Sequence, residues 1–479
     1  MPSTRRRALR LLGTAAVAGL AGCGAIDTPP DPNERPPSSL GATPRQSTDE
    51  WPSPAGDAGH TAHVAASPPS SPEIDWRRTA TADGDRLRGD LVAVVDDRIV
   101  TVTDGDRASR FRAFGTDGGD RLWQRRLPRA DESHARQIAG VVDGTVFTTD
   151  YHGELSAVSV ADGTVVWRRS LSDQVADAVP SAFLPQSGET NRFEAVAAAT
   201  PDGLYVASAY GLHGVALDDG TETWRVFLGQ PPERDDSYPT LGRPTGVAPT
   251  PTGARVTDRW RGLVEVDGYE TTDGRFETHT SRTELPLRLP GSPVVDDDGQ
   301  TVVGPAAAWS TGSVRPTVVG GFGSRHPWQF AGVAGDGASA HASPATDGDR
   351  VYVCEAHETP GRVAVTALRA DTGGLDWQRS YTPDDRIPSL GGRPMFRLAP
   401  PVVAGDTLLV GYGSDPERGP GYESSSERSV GEGVLLGLDA ADGTVQWRQS
   451  LPAGPQRVAV VDDRVFVVDF RGGVTALSG

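Results

Sequence analysis

The sequence predicts an all-β protein, an eight-bladed β-propeller with seven blades as the alternative count. Three observations predict it: a turn-rich composition, a repeated unit of short strands, and a tryptophan at a fixed place in that unit. Gly and Pro account for 58 and 39 of the 479 residues, without the period of collagen. With 37% hydrophobic and 23% charged residues, most of the chain can bury a core.

The repeated unit places a Trp four residues after a Gly. The unit begins with a turn that contains Asp and Gly, followed by a strand rich in β-branched residues. A second strand then leads to a hairpin turn, and this turn contains the Gly that precedes the Trp. The Asp-Gly pairs supply the positive φ that tight hairpins need. Five copies share this spacing: Gly119–Trp123, Gly163–Trp167, Gly220–Trp224, Gly373–Trp377 and Gly443–Trp447.

The strands of the unit are apolar on both faces. Arg350–Val353 and Arg464–Val467 show little alternation, which is typical of strands covered on both sides. A small sheet that is apolar on both faces must stack on neighbours, and radial stacking of such sheets gives a propeller.

The blade count follows from the aromatic residue that ends each unit. Spacings run from 44 residues (123 to 167) to 70 residues (377 to 447), near the ~40–50 residues of a blade plus insertions. The last repeat, 456–479, stops where its Trp strand should begin, and residues 73–78 supply that strand. Residues 240–330 are the least regular, which leaves seven as the alternative. The terminal aromatics are Trp123, Trp167, Trp224, Phe276, Trp328, Trp377 and Trp447.

The first 22 residues are predicted to be a signal peptide. Arg5, Arg6 and Arg7 precede an apolar stretch, Leu11–Ala21, that is too short for a stable membrane span. The adjacent arginines resemble a twin-arginine export signal. Leu-Ala-Gly before Cys23 resembles a lipobox, which implies cleavage and lipidation at Cys23; the alternative is an ordinary signal peptide in which this cysteine is incidental.

Residues 23–50 are predicted to be a disordered tether, and residues 51–479 the propeller. The tether contains two Pro-Pro pairs, Ser, Thr and acids, with almost no large apolar residue. The expected location is the extracytoplasmic face of the cell membrane, with the lipid as the only membrane contact.

The chain is strongly acidic. Its net charge is −18, it contains no lysine, and removal of 1–22, which carries four Arg and no acid, gives −18 − 4 = −22. Such a surface repels phosphate backbones, so nucleic acid is excluded as a partner. An acid-rich, lysine-free composition resembles halophilic proteins, here a haloarchaeal lipoprotein; a GC-rich genome is the alternative explanation.

The pattern Ala-x-Asp-x-x-(Asp/Thr)-Gly-x-x-x-Trp resembles the repeat of the pyrroloquinoline-quinone (PQQ) propeller superfamily, over most of 85–479. The opening segment Trp51–Ala62 resembles the stretch before the first blade in the BamB-like, non-enzymatic branch. The resemblance implies that the repeated tryptophans are structural and pack between blades. These are Trp76, Trp123, Trp167, Trp224, Trp377 and Trp447.

The resemblance favours a scaffold over an enzyme. Quinone dehydrogenases of the superfamily use an adjacent Cys-Cys pair, Ca²⁺ ligands and a catalytic Asp, whereas Cys23 and Cys354 stand far apart here. No catalytic, cofactor-binding or metal residue is therefore predicted, and PQQ and Ca²⁺ are disfavoured. The expected function is a monomeric propeller that binds other proteins at the cell surface. The alternative is a quinoprotein-type oxidoreductase, or a remnant that binds a quinone or sugar in the central funnel.

Other candidate residues are interpreted as structural. The scattered histidines, such as His60 and His341, are expected on surfaces or loops. The Asp-rich stretch 296–299 lacks the ligand spacing of a calcium loop, and Cys354 lies in an apolar strand pattern. Two long insertions, 229–243 and 414–433, are the candidate binding loops, with solvated acidic loops as the alternative.

Overall fold

A computed structural model describes most of the chain beyond residue 49, and all described residues belong to one compact unit, 35–479. Among them, no helix is long and apolar enough to cross a membrane. Arg5, Arg6, Arg7, Cys23 and the insertions 229–243 and (except Ser414 and Gly433) 414–433 lie outside the described residues. Those residues are 50–57, 60–79, 88–104, 108–128, 136–175, 195–227, 244–258, 262–270, 276–283, 293–295, 301–306, 309–310, 313–314, 318–322, 328–331, 338–357, 362–382, 396–414, 433–469 and 472–479.

The described part of the chain is almost entirely β-structure. The first half contains β1 (His63–Val64), β2 (Glu73–Arg78), β3 (Arg88–Val95), β4 (Arg98–Asp104), β5 (Ala108–Gly115), β6 (Arg121–Pro128), β7 (Gln137–Val142), β8 (Thr145–Thr149), β9 (Glu154–Ser159), β10 (Val165–Ser170), α1 (Leu171–Val175), β11 (Val196–Thr200), β12 (Gly203–Ala207), β13 (Gly211–Val215), β14 (Glu222–Phe227), β15 (Pro244–Thr250), β16 (Gly253–Asp258), β17 (Gly262–Glu270) and β18 (Phe276–Thr283). The second half contains β19 (Val294–Val295), β20 (Thr301–Ala306), β21 (Trp309–Ser310), β22 (Ser313–Val314), β23 (Val318–Phe322), β24 (Trp328–Ala331), β25 (Ala338–His341), β26 (Ala345–Thr346), β27 (Arg350–His357), β28 (Arg362–Arg369), β29 (Leu375–Tyr381), β30 (Phe396–Leu398), β31 (Val402–Ala404), β32 (Thr407–Ser414), β33 (Gly433–Asp439), β34 (Val445–Leu451), β35 (Pro455–Val461), β36 (Arg464–Asp469) and β37 (Val474–Ser478).

Most of these strands pair with the next strand along the chain; β1 and β2 instead pair with β31 and β37. Within the described ranges, eight sheets have four or more strands, and β21–β22 is a separate hairpin. We number them along the chain: sheet 1 (β3–β6), sheet 2 (β7–β10), sheet 3 (β11–β14), sheet 4 (β15–β18), sheet 5 (β19, β20, β23, β24), sheet 6 (β25–β29), sheet 7 (β30–β34 with β1) and sheet 8 (β35–β37 with β2). The all-β propeller predicted from the repeats is confirmed.

Burial within each sheet follows the sequence pattern. In sheet 1, β4 and β5 are buried along nearly their whole length, whereas the outermost strand β6 is mostly exposed. The inner strands are apolar on both faces because a neighbouring sheet covers each face.

The hydrophobic core is divided among the junctions between neighbouring sheets. One cluster joins Val100 and Phe111 of sheet 1 to Val146 and Val158 of sheet 2. A second links sheets 6 and 7, and a third continues from sheet 7 through sheet 8 to sheet 1. Within the described residues, such clusters join every pair of neighbouring sheets except sheets 4 and 5.

The ring closes without a covalent bond. β2 pairs antiparallel with β37, with Trp76 opposite Ala476, as the sequence predicted. Arg464 reinforces this seam, because its guanidinium lies 2.7 Å from Asp75 and 3.1 Å from Asp117.

Residues 51–57 and 60–64, which we call the plug, lie against the innermost strands of the ring. Trp51 and Val94 of β3 exchange two backbone hydrogen bonds, at 2.7 and 2.8 Å, and Val141 of β7 donates to the carbonyl of Pro52 at 2.7 Å. β1, at the end of the plug, adds in parallel to β31, with His63 opposite Val403. The plug therefore lies where the innermost strands of sheets 1, 2 and 7 end.

Candidate functional site

Beside the plug lies a cavity of about 330 Å³. Its wall is formed where innermost strands begin, by residues such as Asp90 of β3, Thr245 of β15 and Arg457 of β35. Its floor is the plug, through Ala55 and His60 among others. Most sheets contribute at least one lining residue, so the cavity depends on the closed ring.

The floor has a tight backbone conformation. The Asp57 carboxylate accepts a hydrogen bond from the backbone N–H of Thr61 at 3.0 Å and another from the Thr61 hydroxyl. His60 and Ala62 have left-handed φ values of 60° and 51°. Each such residue costs about 1–3 kcal/mol, so the surrounding contacts must impose the shape. One of them is the hydrogen bond from the Ala62 N–H to Ala55 O, at 2.9 Å.

His60 is held neutral on this floor. Burial lowers its pKa to about 4, against the opposing hydrogen bond to Val247, and the positive charge of Arg457 lowers it further. Its Nε2–H donates to the carbonyl of Val247 in β15, at 3.2 Å. His60 does lie in a loop, as the sequence predicted, but this loop lines the cavity, which no repeat or motif indicates.

Arg457 and Asp90 form an ion pair in the cavity wall. Arg457 Nε donates to Asp90 Oδ1 at 2.9 Å, and the same oxygen accepts the backbone N–H of Leu91 at 2.9 Å. The side chains are 23% and 32% exposed. Among the described residues, the terminal nitrogens of Arg457 and Asp90 Oδ2 have no hydrogen-bond partner, so they remain able to bind a ligand or water.

Arg136 is a buried part of the same wall. Its guanidinium donates to Glu154, to Pro128 O at 3.0 Å and to Thr148 Oγ1 at 3.2 Å. Burial opposes ionisation of Glu154, but hydrogen bonds from Arg168 and Arg136 outweigh it and hold the pKa of Glu154 below its usual value. This arginine is largely committed to the protein.

A Ser-His-Glu arrangement lies in sheet 3. Ser208 Oγ donates to His213 Nε2, and His213 Nδ1 donates to Glu222 Oε1, both at 2.8 Å. Ser208 and His213 have no exposed surface, and the N–H groups of Tyr210 and Gly211 point at the serine oxygen itself. The arrangement fixes the β12–β13 turn and leaves a substrate no access.

A repeated contact joins the outer edges of neighbouring sheets. Trp123 Nε1 donates to Val160 O at 2.7 Å, and Arg125 Nε donates to Gly163 O at 2.6 Å. Gly163 has a φ of 71°, and a Cβ on it would lie 2.6 Å from the Trp123 ring. Glycine is required there both by the turn and by the approach of the ring.

The same contact recurs around the ring. The indoles of Trp76, Trp167, Trp328 and Trp377 donate to carbonyls of the next sheet, at Thr116, Leu217, Ala370 and Ala440. Trp224 and Trp447 occupy the same register position in β14 and β34. The sequence analysis did not identify a second repeated residue, an arginine two positions after the tryptophan. It could have been found from the sequence, because Arg recurs at this position at 78, 125, 169 and 379. Each of these side chains donates to a backbone carbonyl.

The remaining candidates are structural or absent from the described residues. Cys354 is buried in β27, as its apolar surroundings predicted, and burial raises the pKa of its thiol. Within the part of the chain that the structure describes, no three His, Cys, Asp or Glu side chains are placed to hold a metal ion.

The family model that matches the sequence carries the description outer membrane protein assembly factor BamB and covers residues 58–184 and 107–233. It is a model of PQQ-type repeats, and the matched residues include three of the tryptophan junctions, those of Trp76, Trp123 and Trp167. The chain therefore resembles PQQ-repeat proteins over residues 58–233, and its described fold is that of a β-propeller. A comparison with curated proteins gives no significant match.

Solved structures with similar folds include both kinds of PQQ-repeat propeller. BamB from Moraxella catarrhalis is 14% identical, with 85% of this chain and 98% of that chain covered and a TM-score of 0.48. A quinohemoprotein alcohol dehydrogenase from Comamonas testosteroni is 12% identical, with 90% and 80% covered and a TM-score of 0.50. The second likeness supports the fold alone.

The described lining of the cavity does not fit PQQ, a flat ring system with three carboxylates. No Trp, Tyr or Phe is among the lining residues to stack on such a ring. The two guanidiniums are already engaged, Arg136 with Glu154 and Arg457 with Asp90. Asp90 and Asp104 would repel a tricarboxylate.

Proposed function

We propose that this PQQ-repeat propeller is a non-catalytic scaffold that binds other proteins on the extracytoplasmic face of the cell membrane. The observation that carries the proposal is the plug, since residues of the chain itself pack against the innermost strands of several sheets. Hydrogen bonds join the plug to innermost strands of sheets 1, 2 and 7. A ring supported at its centre in this way is a rigid platform for partners.

The partner surface in this proposal is the end of the ring where the cavity lies. The insertions 229–243 and 414–433 leave from strands that end or begin there, namely β14, β15, β32 and β33. Long connections on a rigid scaffold are frequent binding elements. At the opposite end, the strand connections are short turns such as Val95–Arg98 and Val142–Thr145.

Site-specific photo-crosslinking in cells tests this surface. A photoreactive residue at Tyr151, in the β8–β9 turn at the cavity end, is expected to capture the same discrete protein in repeated experiments. The matched probe at Asp462, in the β35–β36 turn at the other end, should capture little. Equal capture at both positions, or none at Tyr151, would contradict the proposed surface.

The rival proposal is a quinoprotein-type oxidoreductase, for which the fold of the dehydrogenase relative is the support. Purified protein supplied with PQQ and Ca²⁺ should show no dye-coupled oxidation of alcohols or glucose. Robust turnover that requires PQQ would overturn the scaffold proposal.

The membrane attachment in this proposal is lipid on Cys23. Two long acyl or alkyl chains anchor firmly, at ~0.8 kcal/mol per buried CH₂. The 27 residues from 24 to 50 would span roughly 30 Å as a flexible chain, which leaves the propeller free of the bilayer surface. Wild type should stay with washed membranes at high salt, and Cys23→Ser should release it; Arg5, Arg6 and Arg7 replaced together by Lys should block export.

A further inference from the structure

The cavity contains an ion pair with unused hydrogen-bonding capacity. Arg457 uses Nε for Asp90, and its terminal nitrogens have no partner among the described residues. Asp90 uses Oδ1 for Arg457 and for the backbone N–H of Leu91, which leaves Oδ2. A donor surface and an acceptor surface therefore lie side by side in one wall.

The described lining of the cavity is balanced in charge. It includes the guanidiniums of Arg136 and Arg457 and the carboxylates of Asp90 and Asp104. The imidazole of His60 adds no charge at neutral pH, because its pKa is about 4. A ligand with a net charge would bring that charge into a partly desolvated site without compensation, which is costly.

Much of the remaining wall is apolar. Ile138 of β7 and Val294 of β19 face the cavity together with Pro54, Pro344 and Pro400. Such a surface favours a ligand with an apolar body. Cavities that bind small molecules measure roughly 300–1,000 Å³, so one of about 330 Å³ suits a ligand of amino-acid size.

We propose that the cavity binds a small zwitterion of the free amino-acid type. Its carboxylate lies on the terminal nitrogens of Arg457, its ammonium on the free oxygen of Asp90, and its side chain against the proline and aliphatic wall. The ligand is neutral overall, satisfies both halves of the ion pair and displaces water from the apolar surface. This site does not depend on the proposed scaffold role.

Neutral polyols are the main competing class, because hydroxyl groups can use the same donors and acceptors. Sugar sites commonly add an aromatic face to the polar contacts. The described lining has no aromatic side chain besides the imidazole of His60. The observations therefore favour the zwitterion.

Isothermal titration of the purified mature propeller with L-leucine tests the proposal. Saturable binding of one leucine per chain is expected. N-acetyl-L-leucine, which lacks the ammonium, and L-leucinamide, which lacks the carboxylate, should each bind about tenfold more weakly or worse. No saturable heat up to roughly 10 mM leucine, equal binding of the three compounds, or binding of trehalose alone would overturn it.

Three variants locate the binding. Asp90→Asn and Arg457→Gln should each weaken leucine binding about tenfold or more. The control is Asp376→Asn, which alters the Arg350–Asp376 ion pair of similar exposure outside the cavity (2.6 Å) and should leave binding unchanged. Ile138→Trp fills the cavity and keeps the ion pair, so it should abolish binding even if the charge variants unfold. Binding that survives Ile138→Trp would place leucine elsewhere and contradict the proposal.

Discussion

The rim and the centre of the ring are held together in different ways. At the rim, one contact recurs: an indole donates to a carbonyl of the next sheet, and an arginine two residues later donates beside it. At the centre, the plug makes a different contact with each strand that it meets, and none of them is repeated in the sequence. The repeated contacts join neighbouring sheets at the rim, whereas the plug occurs once and contacts the innermost strands.

The difference also affects stability. A repeated junction depends only on its two neighbouring sheets, so damage to one junction is local until the ring opens. The plug contacts several sheets at once, so its loss weakens them together. The predictions below separate these two contributions.

The largest effect is expected from removal of both the plug and the closing strand. A chain that starts at residue 89 lacks β2 and exposes the edge of β37, which favours edge-to-edge aggregation. Soluble yield and size-exclusion chromatography should show aggregates, whereas a chain that starts at residue 51 should be monomeric. A chain that starts at residue 65 keeps β2 and should be soluble but less stable. If the chain from residue 89 behaved like that from residue 51, the closing pair would be dispensable.

A single rim residue should have the next largest effect. Trp76→Ala removes an indole that is 9% exposed and donates to Thr116 O at 2.9 Å. Loss of a buried aromatic side chain costs ~3–5 kcal/mol, which urea unfolding would measure. Leu122→Ala is the control, because this side chain is 50% exposed and the change should stay within about 0.5 kcal/mol. Similar losses of unfolding free energy for the two variants would show that Trp76 contributes no more to stability than an exposed side chain.

At the centre, His60→Asn tests a pH effect. The pKa of His60 is about 4 in the folded protein and 6.5 when unperturbed. Its contribution to stability is complete above pH 6.5 and is lost as the pH falls towards 4, because the unfolded chain then binds the proton first. We expect wild type to lose about 1–3 kcal/mol more than the variant across this interval. Asn tolerates the left-handed backbone; parallel stability curves for the two proteins would contradict the assignment.

The smallest effect concerns the rim arginine. Arg125→Gln removes the hydrogen bond to Gly163 O, and a loss of about 0.5–1.5 kcal/mol is expected in the same urea experiment. Arg126→Gln, at an exposed neighbouring position, should cost less than about 0.5 kcal/mol. A larger loss for Arg126→Gln than for Arg125→Gln would show that the hydrogen bond from Arg125 to Gly163 O contributes little to stability.

The rim could be predicted from the sequence because its signals repeat. The Gly-to-Trp spacing identified the junctions, and the missing strand of the last repeat identified residues 73–78 as its partner. The centre could not be predicted in the same way. Asp90 and Arg457 are 367 residues apart and meet only because the ring closes. His60 lies in a segment whose left-handed turns follow no common motif. Residues that act once, through contacts distant in sequence, leave no periodic signal.

The pairing of β2 with β37 has a consequence for the order of folding. Trp76 and Ala476, which face each other there, are separated by 400 residues (476 − 76). Contacts this distant form slowly, because the chain entropy of closing the loop must be overcome before the pairing contributes. During synthesis β2 has no partner until β37 has left the ribosome, so the ring stays open until then. Gly479 lies close to Pro69 in the finished fold. A short linker from residue 479 to residue 69, in a chain that begins at another turn, would make this pairing local and move the slow closure to another junction of the ring.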